Sequence, residues 1–294
     1  MFAIVGPTAS GKTNVAIEVA KHLGAEVISV DSMQVYRGMN IGTAKPNSIE
    51  RRDVVHHMID VVYPEEEFSV AEFRQQARKI MERSEVPLLI TGGSGLHFRA
   101  LVDPMSFAPT DPTLKTELEA TSAAELVAEL VDVDDGAGRH VDLGNPRRVL
   151  RAIEIVRLTG ETPSQRAMSA EAEDLRRYRS EVDFTAVGID AGEVLDDRIE
   201  DRLKQMRAGG LVDEVKTLQN RLGRTASAAV GYRELLDHFK GNSPVVEALD
   251  AISRNTKKLA KKQRTWFQRD PRIRWIPWFD HSDERVARTL EALR

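Results

Sequence analysis

Residues 6–13 read Gly6-Pro7-Thr8-Ala9-Ser10-Gly11-Lys12-Thr13, a match to GxxxxGK[ST], and follow the apolar run Phe2-Ala3-Ile4-Val5. Strand, glycine-rich turn and amphipathic helix in this order leave few folds open, because together they form the phosphate-binding unit of a parallel sheet. Gly6 and Gly11 let the backbone N–H groups of Thr8, Ala9 and Ser10 turn inward around phosphate oxygens. Lys12 reaches the terminal phosphate and Thr13 supplies a hydroxyl to Mg²⁺. A helix expected over 13–22 points its positive end at the same anion. The pattern specifies a polyphosphate without saying which, so the reaction has to be read from the residues around the cradle.

Further apolar, β-branched runs bounded by turn residues fall at 26–30, 58–62, 88–91 and 184–189, with helical patterns between most of them. This predicts an α/β fold, a P-loop NTPase-like parallel sheet flanked by helices on both faces. The interval between the runs at 88–91 and 184–189 is far too long for a simple crossover and is rich in Ala, Leu, Glu and Arg. It reads as a helical insertion domain over 104–183, with residues 1–103 and 184–294 forming the core. Pro104, Pro109 and Pro112 break any helix entering the insertion. Within it, 132–138 reads as an exposed loop and 146–158 as an arginine-rich helix. After the fifth strand, helices are expected over 196–208, 212–222 and 247–267.

The chain has 294 residues, 41% of them hydrophobic, enough for a packed core, and a formal net charge of −4 gives no global pull toward nucleic acid or membrane. With no cysteine, disulfides, thiolate metal sites and cysteine nucleophiles are excluded together. No apolar run suits a bilayer and the first strand begins at Met1, so the expectation is a cytoplasmic protein without a membrane partner. Any nucleic-acid contact must come from a local patch. Residues 254–274 supply one candidate, with nine Lys or Arg against the single acid Asp270 and with Trp266 and Phe267 interleaved. Such a run either tracks a nucleic-acid backbone or is a wet helix face whose aromatics are core.

In a parallel sheet, ligands gather at the carboxyl ends of the strands. Besides the phosphate loop, two clusters belong there: Asp31-Ser32-Met33-Gln34-Val35-Tyr36 and Thr91-Gly92-Gly93-Ser94-Gly95. Asp31 is expected near the bound phosphate as a metal ligand or proton acceptor, or else as a cap of the next element. Thr91 is expected as a donor to a phosphate oxygen, with the glycines beside it allowing close backbone approach, unless 91–95 is only a tight turn. Arg147, Arg148 and Arg151, and separately Arg198 and Arg202, recur at helical spacing and present positive faces, unless neighbouring acids such as Glu154 and Asp201 pair with them. His56 and His57 lack metal-ligand spacing and read as turn or packing residues.

GPTASGKT, DSMQVYRGMNIGTAKP at 31–46, HHMID at 56–60, TGGSGLH at 91–97, RRVLRAIEI at 147–155, GLVDEV at 210–215, VGYRE at 230–234 and KKQRTWF at 261–267 together resemble the bacterial tRNA isopentenyltransferase (IPP transferase) family, in motif order and over essentially the whole chain. The resemblance implies a prenyltransferase that moves a dimethylallyl group from dimethylallyl diphosphate to the exocyclic amine of adenine at tRNA position 37, beside the anticodon. The phosphate loop would then hold the diphosphate of the donor. Asp31 would be the base, Thr91 would bond near the bridging oxygen, and Lys12 and Arg198 would stabilise the leaving group. Ser32, Met33 and Gln34 would meet the base; Arg147, Arg148, Arg151, Lys261 and Arg264 would meet the anticodon stem-loop. Mg²⁺ on Thr13 is the expected cofactor and a monomer the expected state. Kinases of the phosphate-loop class, or a prenyltransferase acting on free adenine nucleotides, are the competing enzymes, and a non-catalytic RNA-binding module is the competing class. Two positions depart from the family pattern TGGTGLY, where this chain has Ser94 and His97. Without cysteine, the zinc finger of eukaryotic relatives is not expected, which indicates a bacterial form.

Overall fold

The computed structural model describes all residues, Met1–Arg294. In chain order the elements are β1 (Phe2–Val5), α1 (Lys12–Leu23), β2 (Glu26–Val30), α2 (Ser48–Asp53), β3 (His56–His57), α3 (Val70–Arg83), β4 (Leu88–Gly92) and α4 (Gly95–Val102). Then follow α5 (Pro112–Ala120), α6 (Ala123–Val133), α7 (Pro146–Thr159), α8 (Pro163–Ala167) and α9 (Ala170–Arg176). The chain returns with β5 (Thr185–Ile189), α10 (Leu195–Ala208), α11 (Leu211–Leu218), α12 (Tyr232–Phe239), α13 (Val245–Gln268), β6 (Ile273–Ile276) and α14 (Ser282–Leu293). Packing divides it into two units, Met1–Val102 with Val182–Arg294, and Asp103–Glu181.

The first unit is a six-stranded sheet in the order β3-β2-β4-β1-β5-β6, and every pairing is parallel. Both faces are covered. Ala3, Val5, Ile28, Val30 and Ile90 face a core shared with Phe73, Phe98, Tyr232 and Phe267, while Ile4, Val27, Leu89 and Val187 face Val15, Val19, Val286 and Leu293. That two-sided burial is why the strands read as continuous apolar runs instead of alternating ones. Register sets Val5, Gly92 and Val30 in one row, so the phosphate loop, Gly93 and Asp31 begin side by side at the carboxyl edge. The second unit is helical, with its own core of Leu118, Leu126, Leu130, Val149 and Ile153. No helix is long and apolar enough to cross a membrane.

Three sequence expectations are corrected here. The run at 58–62 is not a strand: only His56 and His57 pair with β2, and Met58 and Asp60 then take positive φ angles of 62° and 54°. Asp60 is fixed by Lys45 and Arg51, each at 2.6 Å, so the chain turns and only Val62 regains a bridge, to Tyr36. The stretch 132–138 is only in part the expected exposed loop: Asp135 and Gly138 are exposed, but α6 runs through Val133, Ala137 is fully buried and the Asp134 carboxylate accepts from Gly136 N and from Ser164 N and Oγ. Lastly, β6, α12 and α14 add to the expected elements. An arginine and a tryptophan inside Ile273–Ile276 hid a strand that only pairing with β5 creates.

Candidate active site

The loop between β1 and α1 is shaped by what cannot fit. A Cβ on Gly6 would stand 2.1 Å from the Ile189 carbonyl oxygen, and Gly11 caps α1 in the left-handed region with φ of 84°. Ala9 also adopts positive φ, 61°. Three cations converge on the loop. Lys12 Nζ donates to the Pro7 carbonyl at 3.1 Å, Arg198 Nε to the Ala9 carbonyl at 2.8 Å, and Arg202 Nη1 to Thr8 Oγ1 at 3.1 Å. Burial and the nearby Arg202 charge, partly offset by Asp31, push the Lys12 ammonium down to about 8. Arg202 is lowered by burial as well, against the pull of Asp31. Repulsion among buried cations of this kind is relieved by a bound anion. The expected partner Asp201 pairs with Lys204 at 2.9 Å instead, leaving Arg198 and Arg202 to the loop.

A cavity of about 360 Å³ opens above this edge and is lined by Thr8, Lys12, Thr13, Asp31, Ser32, Met33, Gln34, Thr91, Ser94 and Arg202. Ile199, Leu203, Met206, Leu211 and Ile252 add an apolar lining to the same cavity. Of the roles expected for Asp31, the cap is present: Oδ1 accepts from Met33 N at 2.8 Å and Gln34 N at 3.2 Å, while Oδ2 makes no hydrogen bond. Thr91 is buried and its hydroxyl donates to the Ile4 carbonyl at 3.0 Å, so here its single proton points into the sheet. Gln34 is tied inward, its Oε1 accepting from Ser29 Oγ at 2.9 Å and its Nε2 donating to Thr43 O at 3.2 Å.

The loop that Gln34 holds is organised by residues whose roles were not read from the sequence. The Glu214 carboxylate accepts from the backbone N–H groups of Asn40, Ile41 and Gly42 at 2.9, 2.7 and 3.0 Å, and from the Tyr232 hydroxyl at 2.6 Å. Burial and the Glu214 charge raise the Tyr232 phenol, keeping it a donor. Gln263 is another such residue. Its Oε1 accepts from Thr8 N at 2.8 Å, and its amide lies over Gly93, where a Cβ would be 2.6 Å from Nε2. The only prior signal for all three was membership of the motifs GLVDEV, VGYRE and KKQRTWF.

The remaining predicted residues divide by environment. Lys261 is exposed on α13, whereas Arg264 is paired with Asp190, 2.6 Å from Nη2 to Oδ1. Phe267 is core, and Trp266 is 44% exposed at the cavity lip. In the second unit, Arg147 and Arg148 are exposed, with Arg148 3.7 Å from Asp142, and Arg151 is bound by Glu154 at 2.5 Å and by the Ala108 and Pro109 carbonyls.

The sequence pattern of the IPP transferase family matches residues 34–270, and that of an isopentenyl transferase family matches 1–60. The chain belongs to the IPP transferase family. Among its relatives, the tRNA dimethylallyltransferase of Bifidobacterium animalis subsp. lactis is 42% identical over 94% of this chain and 82% of its own length. That of Corynebacterium jeikeium is 39% identical over 99% and 95%. The solved tRNA isopentenylpyrophosphate transferase of Bacillus halodurans superposes with a TM-score of 0.68 at 37% identity, covering 99% of this chain and 96% of that one. A eukaryotic dimethylallyltransferase solved acting on tRNA shares the fold, with a TM-score of 0.75 at 24% identity over 91% of this chain and 69% of that one.

Membership of this family makes the departure at His97 informative. The imidazole lies behind the cavity wall, edge-on to Phe73 at 4.6 Å, and its Nδ1 is 2.7 Å from Ser94 Oγ, which does line the cavity. Burial pushes His97 down to about 4, so it supports Ser94 as a neutral ring.

Proposed function

We infer that this chain transfers a dimethylallyl group from dimethylallyl diphosphate to the exocyclic N6 of an adenine in tRNA, at position 37 of the anticodon loop, and releases diphosphate. One observation carries the chemistry: a cationic phosphate loop, a carboxylate with an unengaged oxygen and a set of apolar side chains line one cavity. A diphosphate suits the loop, a short isoprenoid suits the wall formed by Ile199, Leu203 and Met206, and an extruded base meets Asp31.

In the reaction a bond forms between N6 and C1 of the allyl group while the C1–O bond to diphosphate breaks, and the electron pair of that bond leaves with the oxygen. Lys12, Arg198, Arg202 and the loop N–H groups of Ala9 and Gly11 stabilise the charge that gathers on diphosphate, and Thr8 N–H joins them on leaving Gln263. Adenine's amine is a weak nucleophile because its lone pair is delocalised into the ring. Asp31 Oδ2 accepts the amine proton as the new bond forms. Thr91 reaches the bridging oxygen after its hydroxyl turns from Ile4. Thr13 suits Mg²⁺ held jointly with the diphosphate, since this ion keeps several waters and takes few protein ligands; when bound it supplies positive charge to the departing oxygens.

On the same reading Ser32, Met33 and Gln34 face the base, and Lys261, Arg147 and Arg148 face tRNA phosphates. Arg264 and Arg151 act through their intramolecular pairs, as supports for those surfaces. The working unit is taken as a single chain acting in the cytoplasm, where the tRNA is. Incubation with Mg²⁺, labelled dimethylallyl diphosphate and either unmodified tRNA, ATP or AMP tests the proposal. Label is expected on tRNA alone, at the adenine next to the anticodon; label on free nucleotide, or nowhere, would remove it.

A further inference from the structure

We propose that Trp278 is a positioning residue for Arg198, holding its guanidinium beside the phosphate loop so that its terminal nitrogens remain open to the donor's diphosphate. The proposal rests on the reading of that loop as a diphosphate site.

The guanidinium carbon of Arg198 lies 4.9 Å from the centroid of the Trp278 ring. Both sit against the loop: a Cβ on Gly11 would be 3.2 Å from Arg198 Nη2 and 3.9 Å from Trp278 Cη2. Trp278 also packs on the small apolar cluster of Ala9, Ala191, Leu195 and Ile199. The ring is itself fixed, because its Nε1–H donates to Asp280 Oδ1 at 3.1 Å and Arg285 lies 4.4 Å from its centroid. Arg285 is in turn buried and bonded to the Phe279 and Asp280 carbonyls.

The logic is electrostatic. Arg198 shares the loop with Lys12 and Arg202, so without an anion it is pushed outward. A carboxylate partner would hold it there but would compete with diphosphate for the same N–H groups. An aromatic face attracts the cation without neutralising it or using its donors. Arg198 makes one hydrogen bond, from Nε to the Ala9 carbonyl, and no salt bridge, which is the arrangement such a holder leaves. The contact joins the start of α10 to the segment after β6, 80 residues later in the chain, so it exists only because β6 pairs beside β5.

The test is a calorimetric titration of the full chain with Mg²⁺-pyrophosphate, comparing Trp278→Leu, Trp278→Phe, Arg198→Ala and the double variant Trp278→Leu/Arg198→Ala. Trp278→Leu should weaken pyrophosphate binding by about tenfold, and Trp278→Phe, which keeps an aromatic face, should recover most of it. The double variant should bind no more weakly than Arg198→Ala alone, because removing the arginine removes what Trp278 acts on. Additive losses, or wild-type binding by Trp278→Leu while Arg198→Ala is impaired, would overturn the role of Trp278 and leave the diphosphate site standing. Wild-type binding by Arg198→Ala would remove the anion assignment of that arginine and Trp278 with it. Should Trp278→Leu fail to fold, fluorotryptophan-labelled wild-type protein gives the answer by ¹⁹F NMR. The Trp278 resonance, assigned through Trp278→Phe, is expected to shift on saturation with pyrophosphate, and an unmoved resonance rejects the proposal.

Discussion

The two oxygens of Asp31 differ in environment. Oδ1 caps the turn through Met33 N and Gln34 N, and Oδ2 is unengaged, so the informative substitution is Asp31→Asn, which preserves the cap and removes the proposed base. We expect turnover to fall by about 10² to 10⁴. Pyrophosphate affinity should stay equal or rise, since the change removes a negative charge near Lys12 and Arg202. A matching loss of pyrophosphate affinity in calorimetry would make Asp31 an anion-side or metal ligand instead. Lys12 carries a second expectation. Its folded value, about 8, lies below the ordinary 10.5, so it loses its proton as pH rises through 8, and a bound anion favours the protonated form. Pyrophosphate affinity should therefore decline from pH 8 upward, by as much as about tenfold per pH unit relative to Lys12→Arg, which stays charged. Parallel pH profiles for the two proteins would contradict this. The same depression means that the ligand-free protein gains stability as pH rises from 8 toward 10.5, because the unfolded chain then holds the proton that the folded chain has released.

Among the elements, α13 shows how one basic helix is divided between core and surface. Its buried side carries Leu249, Ile252, Ala260 and Phe267, and its exposed side carries Lys258, Lys261 and Lys262. Arg264 lies between them, paired with Asp190 just beyond β5. Lys261→Ala should therefore reduce the salt dependence of tRNA binding, with a slope change of roughly one, and leave stability nearly untouched. Arg264→Ala should do the reverse, costing about 1–3 kcal/mol by stranding a largely buried carboxylate. Thermal melts and salt titrations of tRNA affinity separate these outcomes, and equal melting temperatures would dismiss the division. The run 254–274 showed the charge of this helix plainly, but no charge pattern says which arginine finds a carboxylate 74 residues away.

For the molecule as a whole, the second unit has a hydrophobic cluster drawn entirely from its own residues. Residues 103–181 expressed alone should thus give a helical circular dichroism spectrum and a cooperative, if marginal, melt. In the intact chain, Arg147→Ala/Arg148→Ala should weaken tRNA binding without altering pyrophosphate binding, and a change confined to pyrophosphate would reassign those arginines.

The phosphate loop, the strand ends carrying Asp31 and Thr91, and the two-sided sheet were legible in sequence because each depends on local order: apolar runs of strand length, glycines where no Cβ fits, and a helix that starts at the loop. Asp60 turning a would-be strand through Lys45 and Arg51, Glu214 gathering three N–H groups of a loop, Gln263 on Thr8 and Trp278 on Arg198 were not legible. The last three are contacts between segments far apart in the chain, whose meeting depends on how all the strands and helices pack together. The order of residues along the chain was enough for the phosphate-loop turn and for the kind of sheet that carries it. The tertiary structure alone decided which charges are neutralised within the protein and which remain to face a ligand, because that choice is made by distance in space and not by spacing along the chain.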